Sequence, residues 1–156
     1  MKSMRDVGLY LEPTVGEHPL DLKAHGESAT AESAKRVFAI TLFTDDLGEA
    51  KRFYLNAFAM PIVHEDPTSI AFSFPNIVVN LVAAAEAPEL ITPAPVGGPG
   101  TPARMMITLQ VDDVDATCER LRARGVELLN GPLDRPWGPR TAAFADPSGH
   151  CWELSN

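Results

Sequence analysis

The sequence predicts an α+β domain of two βαβββ modules, their curved mixed sheets set around a cleft with the helices on the outer face. Three observations predict it. Residues 40–47 read ITLFTDDL and residues 107–114 read ITLQVDDV, the same passage with five of eight positions identical. Each copy moves from strand-like alternation, through paired aspartates, into apolar spacings of three and four. A stretch rich in proline and glycine, 83–102, separates the copies.

Residues 1–36 mix Gly, Pro, His, Ser and charge without period, and are expected to form a flexible arm with at most a short strand at 7–11. Module one, 37–82, opens with a β-rich strand over 37–43. Asp45 and Asp46 suit an N-cap, and Glu49 follows Asp46 at capping-box spacing. The helix then stacks Leu47, Ala50, Phe53, Tyr54, Ala57 and Phe58 on one face until Pro61. Strands are predicted at 61–65, 69–74 and 76–82, with turns at Asp66–Pro67 and Pro75–Asn76. In the linker, Pro88, Pro93, Pro95, Pro99 and Pro102 are expected to exclude regular structure.

Module two, 103–156, repeats the order. A strand over 104–111 leads to Asp112–Asp113 and a helix with Val114, Cys118 and Leu121 inward, capped by Gly125. Strands follow at 126–130, 140–145 and 150–155. The last two are joined by Asp146-Pro147-Ser148-Gly149, in which proline fixes φ and glycine takes positive φ.

The net charge of −8 argues against nucleic acid as a partner, because phosphates need basic patches, and is compatible with a cationic ligand. No apolar stretch reaches membrane-spanning length and no secretory h-region opens the chain, so a cytoplasmic protein is expected. Cys118 and Cys151 are read as free thiols. No phosphate loop or nucleophile elbow is present.

Strand alternation gives each sheet an apolar face for the helices, with Ile40, Leu42, Val79, Leu81, Ile107, Leu109, Trp152 and Leu154. The other face carries Ala39, Thr41, Phe43, Asn80, Met106, Thr108, Gln110, Cys151 and Glu153. It is either a ligand cleft or a solvated surface, and alternation fits both. Phe53, Tyr54, Phe58 and Trp152 are assigned to the core. Trp137 and Arg140 stand just before a strand, where stacking and a guanidinium fork would suit a planar or acidic ligand. Equally, Trp137 could pack on Pro136 and Arg140 could pair with an acid. His64 and Glu65 are expected on opposite faces, and His150 in solvent.

The run WGPRTAAFADPSGHCWEL, 137–154, and the run DDLGEAKRFY, 45–54, are the motifs by which residues 37–156 resemble the vicinal-oxygen-chelate superfamily. That group includes glyoxalase I, extradiol dioxygenases, and the fosfomycin- and bleomycin-resistance proteins. The bleomycin-resistance-like branch is the nearest in this reading. The resemblance implies metal-ligand positions at Ala39, Met106, Asn80 and Glu153. Only Glu153 is an ordinary ligand for a hard or borderline divalent ion, so no metal cofactor is expected. The alternative is a single divalent metal. The implied function is capture of an antibiotic or aromatic metabolite by a homodimer, leaning away from catalysis. The ligand-binding set is Thr41, Phe43, Asn80, Met106, Thr108, Gln110, Trp137, Arg140, Cys151 and Glu153. The alternative is a lyase, isomerase or dioxygenase with a non-standard metal site, or with Glu153 as a metal-free catalytic base. A structural homodimer without a ligand ranks third.

Overall fold

The computed structural model describes residues 37–156, and the arm expected over 1–36 lies outside them. Module one contains β1 (Ala39–Thr44), α1 (Leu47–Phe58), β2 (Ile62–Glu65), β3 (Ser69–Ser73) and β4 (Val78–Ala83). After a connection containing α2 (Ala87–Ile91) come β5 (Met106–Gln110), α3 (Val114–Ala123), β6 (Leu128–Asp134), β7 (Arg140–Ala145) and β8 (Cys151–Ser155). The strands form two four-stranded mixed sheets, ordered β1-β4-β3-β2 and β5-β8-β7-β6. In each, the first strand runs parallel to the last and the other pairs are antiparallel.

The aspartate pairs act as read. Asp46 Oδ1 accepts from the Glu49 amide at 2.8 Å, and Asp113 Oδ1 from the Ala116 amide at 2.9 Å, so each helix starts with an orphan donor satisfied. The first helix ends before Pro61, because Ala59 adopts a left-handed conformation and its amide bonds back to Leu55.

Two expectations need correction. The linker is not devoid of regular structure: a 3-10 turn, Ala84–Glu86, runs into α2. Pro88 stands in the first turn of that helix, where a missing N–H costs nothing. The strand expected at 126–130 instead spans Leu128–Asp134. Val126 donates its amide to Leu121 at the end of α3, delaying the strand, and β6 then crosses Pro132 as an edge strand with a bulge.

One core serves both modules. Leu42, Ile70, Phe72, Val79 and Leu81 of sheet one are buried with Ala142, Phe144, Trp152 and Leu154 of sheet two. Tyr54 and Ala50 of α1 and Val114, Cys118 and Leu121 of α3 join them. Rings cross between modules: Phe58 lies 4.8 Å from Trp152, and Phe74 stacks on Trp152 at 5.9 Å. Burying such a side chain contributes about 1.5–3 kcal/mol. Asn56 and Arg124 lock the two modules reciprocally, each side chain donating to the other's carbonyl, at 2.7 and 2.9 Å. Among the described residues no helix is long and apolar enough to cross a membrane.

Candidate functional site

The apolar faces of both sheets turn to the shared core, which leaves the opposite faces open. The strand register aligns the same row across each. In sheet one it runs Thr41, Asn80, Ala71, His64, and in sheet two Thr108, Glu153, Ala143, Asn130. Asn80 Nδ2 donates to Thr41 Oγ1 at 3.4 Å, and Thr108 Oγ1 donates to Glu153 Oε2 at 3.0 Å. Thr41, Met106, Thr108 and Gln110 are exposed, while Ala39, Phe43, Asn80, Cys151 and Glu153 are half-buried. The structure therefore gathers these expected residues onto two open faces rather than into an enclosed pocket. Surface depressions of about 570 and 340 Å³ lie beside α3 and touch the open face of sheet two at its margin, through Asn130 and Gln110 respectively.

Arg140 is not among them. It shares a side of β7 with buried Ala142 and Phe144, so it points toward the helices. There it bonds Asp115 through two nitrogens, at 2.5 and 2.9 Å, and Asp134 at 3.0 Å. Asp115 and then Asp134 hold the Arg140 pKa up, and the Arg140 hydrogen bond holds Asp115 below the usual carboxylate range. Trp137 is 73% exposed in the loop between β6 and β7.

Sequence reasoning missed Arg135. Its Nε donates to Thr141 Oγ1 at 2.7 Å and its Nη2 to Asn130 Oδ1 at 3.1 Å, both on the open face of sheet two. Its guanidinium carbon stands 5.7 Å from the centre of the Trp137 ring. Spacing contained a signal, an arginine two places before an exposed tryptophan, but not which face it would take.

His64 and Glu65 take opposite faces, as expected. A bulge between Ile62 and His64 slips the register, so that Ile62 pairs with core Phe72 while His64 pairs with Ala71 of the open face. His64 Nε2 bonds Asp66 Oδ2 at 3.0 Å. Burial pushes the Asp66 carboxyl up, but hydrogen bonds from His64, Thr68 and Ser69 outweigh it and hold it well below the usual range. Glu65 pairs instead with Lys51.

His150, expected in solvent, is half-buried with Nδ1 2.8 Å from Asp146 Oδ2. Asp146 is buried and also accepts from Tyr54 Oη at 2.9 Å and from the amides of Ser148 and His150. Trp152 Nε1 donates to Tyr54 Oη at 3.2 Å. Burial, then the Asp146 charge, drives the Tyr54 pKa up, so the phenol stays a donor. This network joins α1 to the β7–β8 hairpin inside the core, away from the open faces. Cys118 and Cys151 are free thiols, and burial pushes the Cys118 thiol up.

The positions implied for metal ligands do not fit a divalent ion. Ala39 has no donor, Met106 offers a soft thioether, Asn80 a neutral amide, and the Glu153 carboxylate accepts from Thr108. Among the described residues no group of three or more His, Cys, Asp or Glu could hold a metal ion.

Comparison with known proteins fits this geometry. An uncharacterized protein of Mycobacterium bovis is 41% identical over 64 residues, which span 41% of this chain and 40% of the relative's length. A crystal structure of a glyoxalase/bleomycin resistance protein/dioxygenase from Nocardioides superposes with a TM-score of 0.72 at 27% identity, over 80% of this chain and 85% of that one. TnmS3, an antibiotic binding protein from Streptomyces sp. CB03234, has a TM-score of 0.61 at 27% identity, over 81% of this chain and 98% of its own. The model of the Glyoxalase/Bleomycin resistance protein/Dioxygenase superfamily matches residues 36–154. With its two βαβββ modules in matching register, the chain belongs to this superfamily.

Proposed function

We propose that the protein binds a small aromatic molecule without transforming it, as a member of the bleomycin-resistance-like branch. The observation that carries this reading is the pair of open faces. Each sets a polar pair, Thr41–Asn80 or Thr108–Glu153, beside soft or aromatic side chains such as Phe43 and Met106. The donors there suit orientation of a ligand and do not suit the family's metal chemistry. Similarity to TnmS3, described as an antibiotic binding protein, supports the same reading. Because the shared core uses both apolar faces, each open face has one wall within the chain. We assign the second wall to another copy in a homodimer.

Isothermal titration against a panel of cationic glycopeptide and aromatic antibiotics tests the reading, with micromolar binding by at least one expected. Failure of every compound to bind, together with no resistance on expression, rejects it. A second reading follows from Glu153, which is half-buried and, among the described residues, accepts from Thr108 through Oε2 alone. In that reading it is a general base. Turnover of a bound ligand that disappears in Glu153→Gln would favour it. Ligand binding without turnover in the wild type favours the binder.

A further inference from the structure

We propose that Arg135 is an oxyanion receptor: it pairs with a carboxylate on a planar aromatic ligand whose ring lies on Trp137. This deepens the small-molecule-binding reading and rests on it.

The argument starts from what holds Arg135. The side chain lies across the open face of sheet two, where Thr141 is only 2% exposed. Both acceptors that orient it, Thr141 Oγ1 and Asn130 Oδ1, are neutral. They engage the edge formed by Nε and Nη2 and leave Nη1 without a hydrogen-bond partner among the described residues. A guanidinium has five donors in a fixed plane, so fixing one edge aims the other.

Its charge is also uncompensated. Among the described residues Arg135 makes no ion pair, whereas Arg140, five residues on, makes contacts with two carboxylates. The open-face carboxylate of the same sheet, Glu153, pairs across strands with Ala143. That makes it a diagonal neighbour of Thr141, about 7–8 Å away between Cα atoms. It is already bonded to Thr108.

Trp137 completes the receptor. Arg135 covers one side of the ring, and the residue is 73% exposed, so ring surface remains for stacking. The net charge was compatible with a cationic ligand. The local arrangement selects an anionic group at one end of an aromatic one.

The test uses 2-naphthoate and its uncharged carboxamide as probes, titrated by calorimetry and by quenching of tryptophan fluorescence. A charge-assisted fork predicts naphthoate binding roughly tenfold tighter than the amide. Arg135→Gln is expected to abolish that preference, bringing the naphthoate affinity down to that of the amide. Arg135→Lys keeps the charge but not the fork, and should retain only part of it. Equal affinity for the two probes in the wild type, or an undiminished preference in both variants, overturns the assignment while leaving the binding reading intact. Binding of neither probe counts against both.

Discussion

The same row crosses both sheets, yet the two rows differ in what they offer a ligand. Sheet one aligns Thr41, Asn80, Ala71 and His64, and sheet two Thr108, Glu153, Ala143 and Asn130. Order, register and even the bulge after Ile62 and Leu128 are common to both. Asn80 is neutral where Glu153 carries a carboxylate. The β2–β3 connection is a tight turn tied by Asp66, which accepts from the Thr68 and Ser69 amides at 2.7 Å. The β6–β7 connection is a longer loop that presents Arg135 and Trp137. The strands preserve the frame because both must feed one core. The loops and open faces are free of that duty, and there the modules diverge.

The largest expected effect is at the turns before the last strands. Phe74 in module one stacks on Trp152, while Asp146 in module two accepts from Tyr54, His150 and two amides in a buried setting. Asp146→Ala strips partners from several buried donors and should cost about 3 kcal/mol or more by urea unfolding. A loss below about 1 kcal/mol would mean that water replaces the carboxylate and that this turn tolerates apolar residues as its counterpart does.

The bulges give the next contrast. Gly131 has φ +83°, and an added Cβ would sit 2.6 Å from the Thr141 carbonyl oxygen and 2.7 Å from the Ala142 Cα. Gly131→Ala should therefore cost roughly 2–3 kcal/mol, because the β7 backbone it would strike cannot yield and the positive φ strains an alanine. Among the described residues, sheet one has no counterpart of this second irregularity; its one bulge holds Val63, which is 45% exposed, and Val63→Ala should change the melting temperature little. Equal effects would show that the two bulges are not distinguished by packing.

A smaller effect has the opposite sign. Thr44 is fully buried, and its hydroxyl has no hydrogen-bond partner among the described residues. The internal repeat places Val111 at the equivalent position. Thr44→Val should stabilise the fold by about 1 kcal/mol, since it removes an unsatisfied polar atom at constant shape. Destabilisation on thermal melting would reveal a partner for that hydroxyl.

The smallest effect is pH-dependent. Folding lowers the Asp66 pKa, so its contribution is fully present above the unfolded value of about 4 and fades as pH falls through the folded value. The stability gap between wild type and Asp66→Asn should be constant near neutrality and close in acid. Partial exposure limits it to about 1 kcal/mol. A gap that widens below pH 4 would contradict the assignment of Asp66 as the ionised acceptor.

Much of this architecture was legible in the chain. The repeated passage fixed two modules because strand and helix periods are local properties, and Asp46, Asp113, Gly125 and Gly149 act as their side-chain chemistry requires. The open-face residues of β1, β4, β5 and β8 followed from alternation alone. Alternation set His64 and Glu65 on opposite faces, but which of them takes the open one was decided by a bulge that leaves no mark in composition. His150 was misplaced because its partner, Asp146, is buried only once α1 of the other module packs above it. Arg135 and Arg140 were indistinguishable as letters. Their roles separated when register sent one to the open face and the other toward Asp115 and Asp134.

The sequence by itself therefore determined the modules, their caps and the side of each regular strand, all consequences of short-range geometry. Only the tertiary structure decided which arginine lies on the open face, which histidine joins the open row, and that both sheets share one core. Those outcomes depend on register slips and on surfaces that meet across nearly a hundred residues, as Tyr54 and Asp146 do, and no local period encodes them.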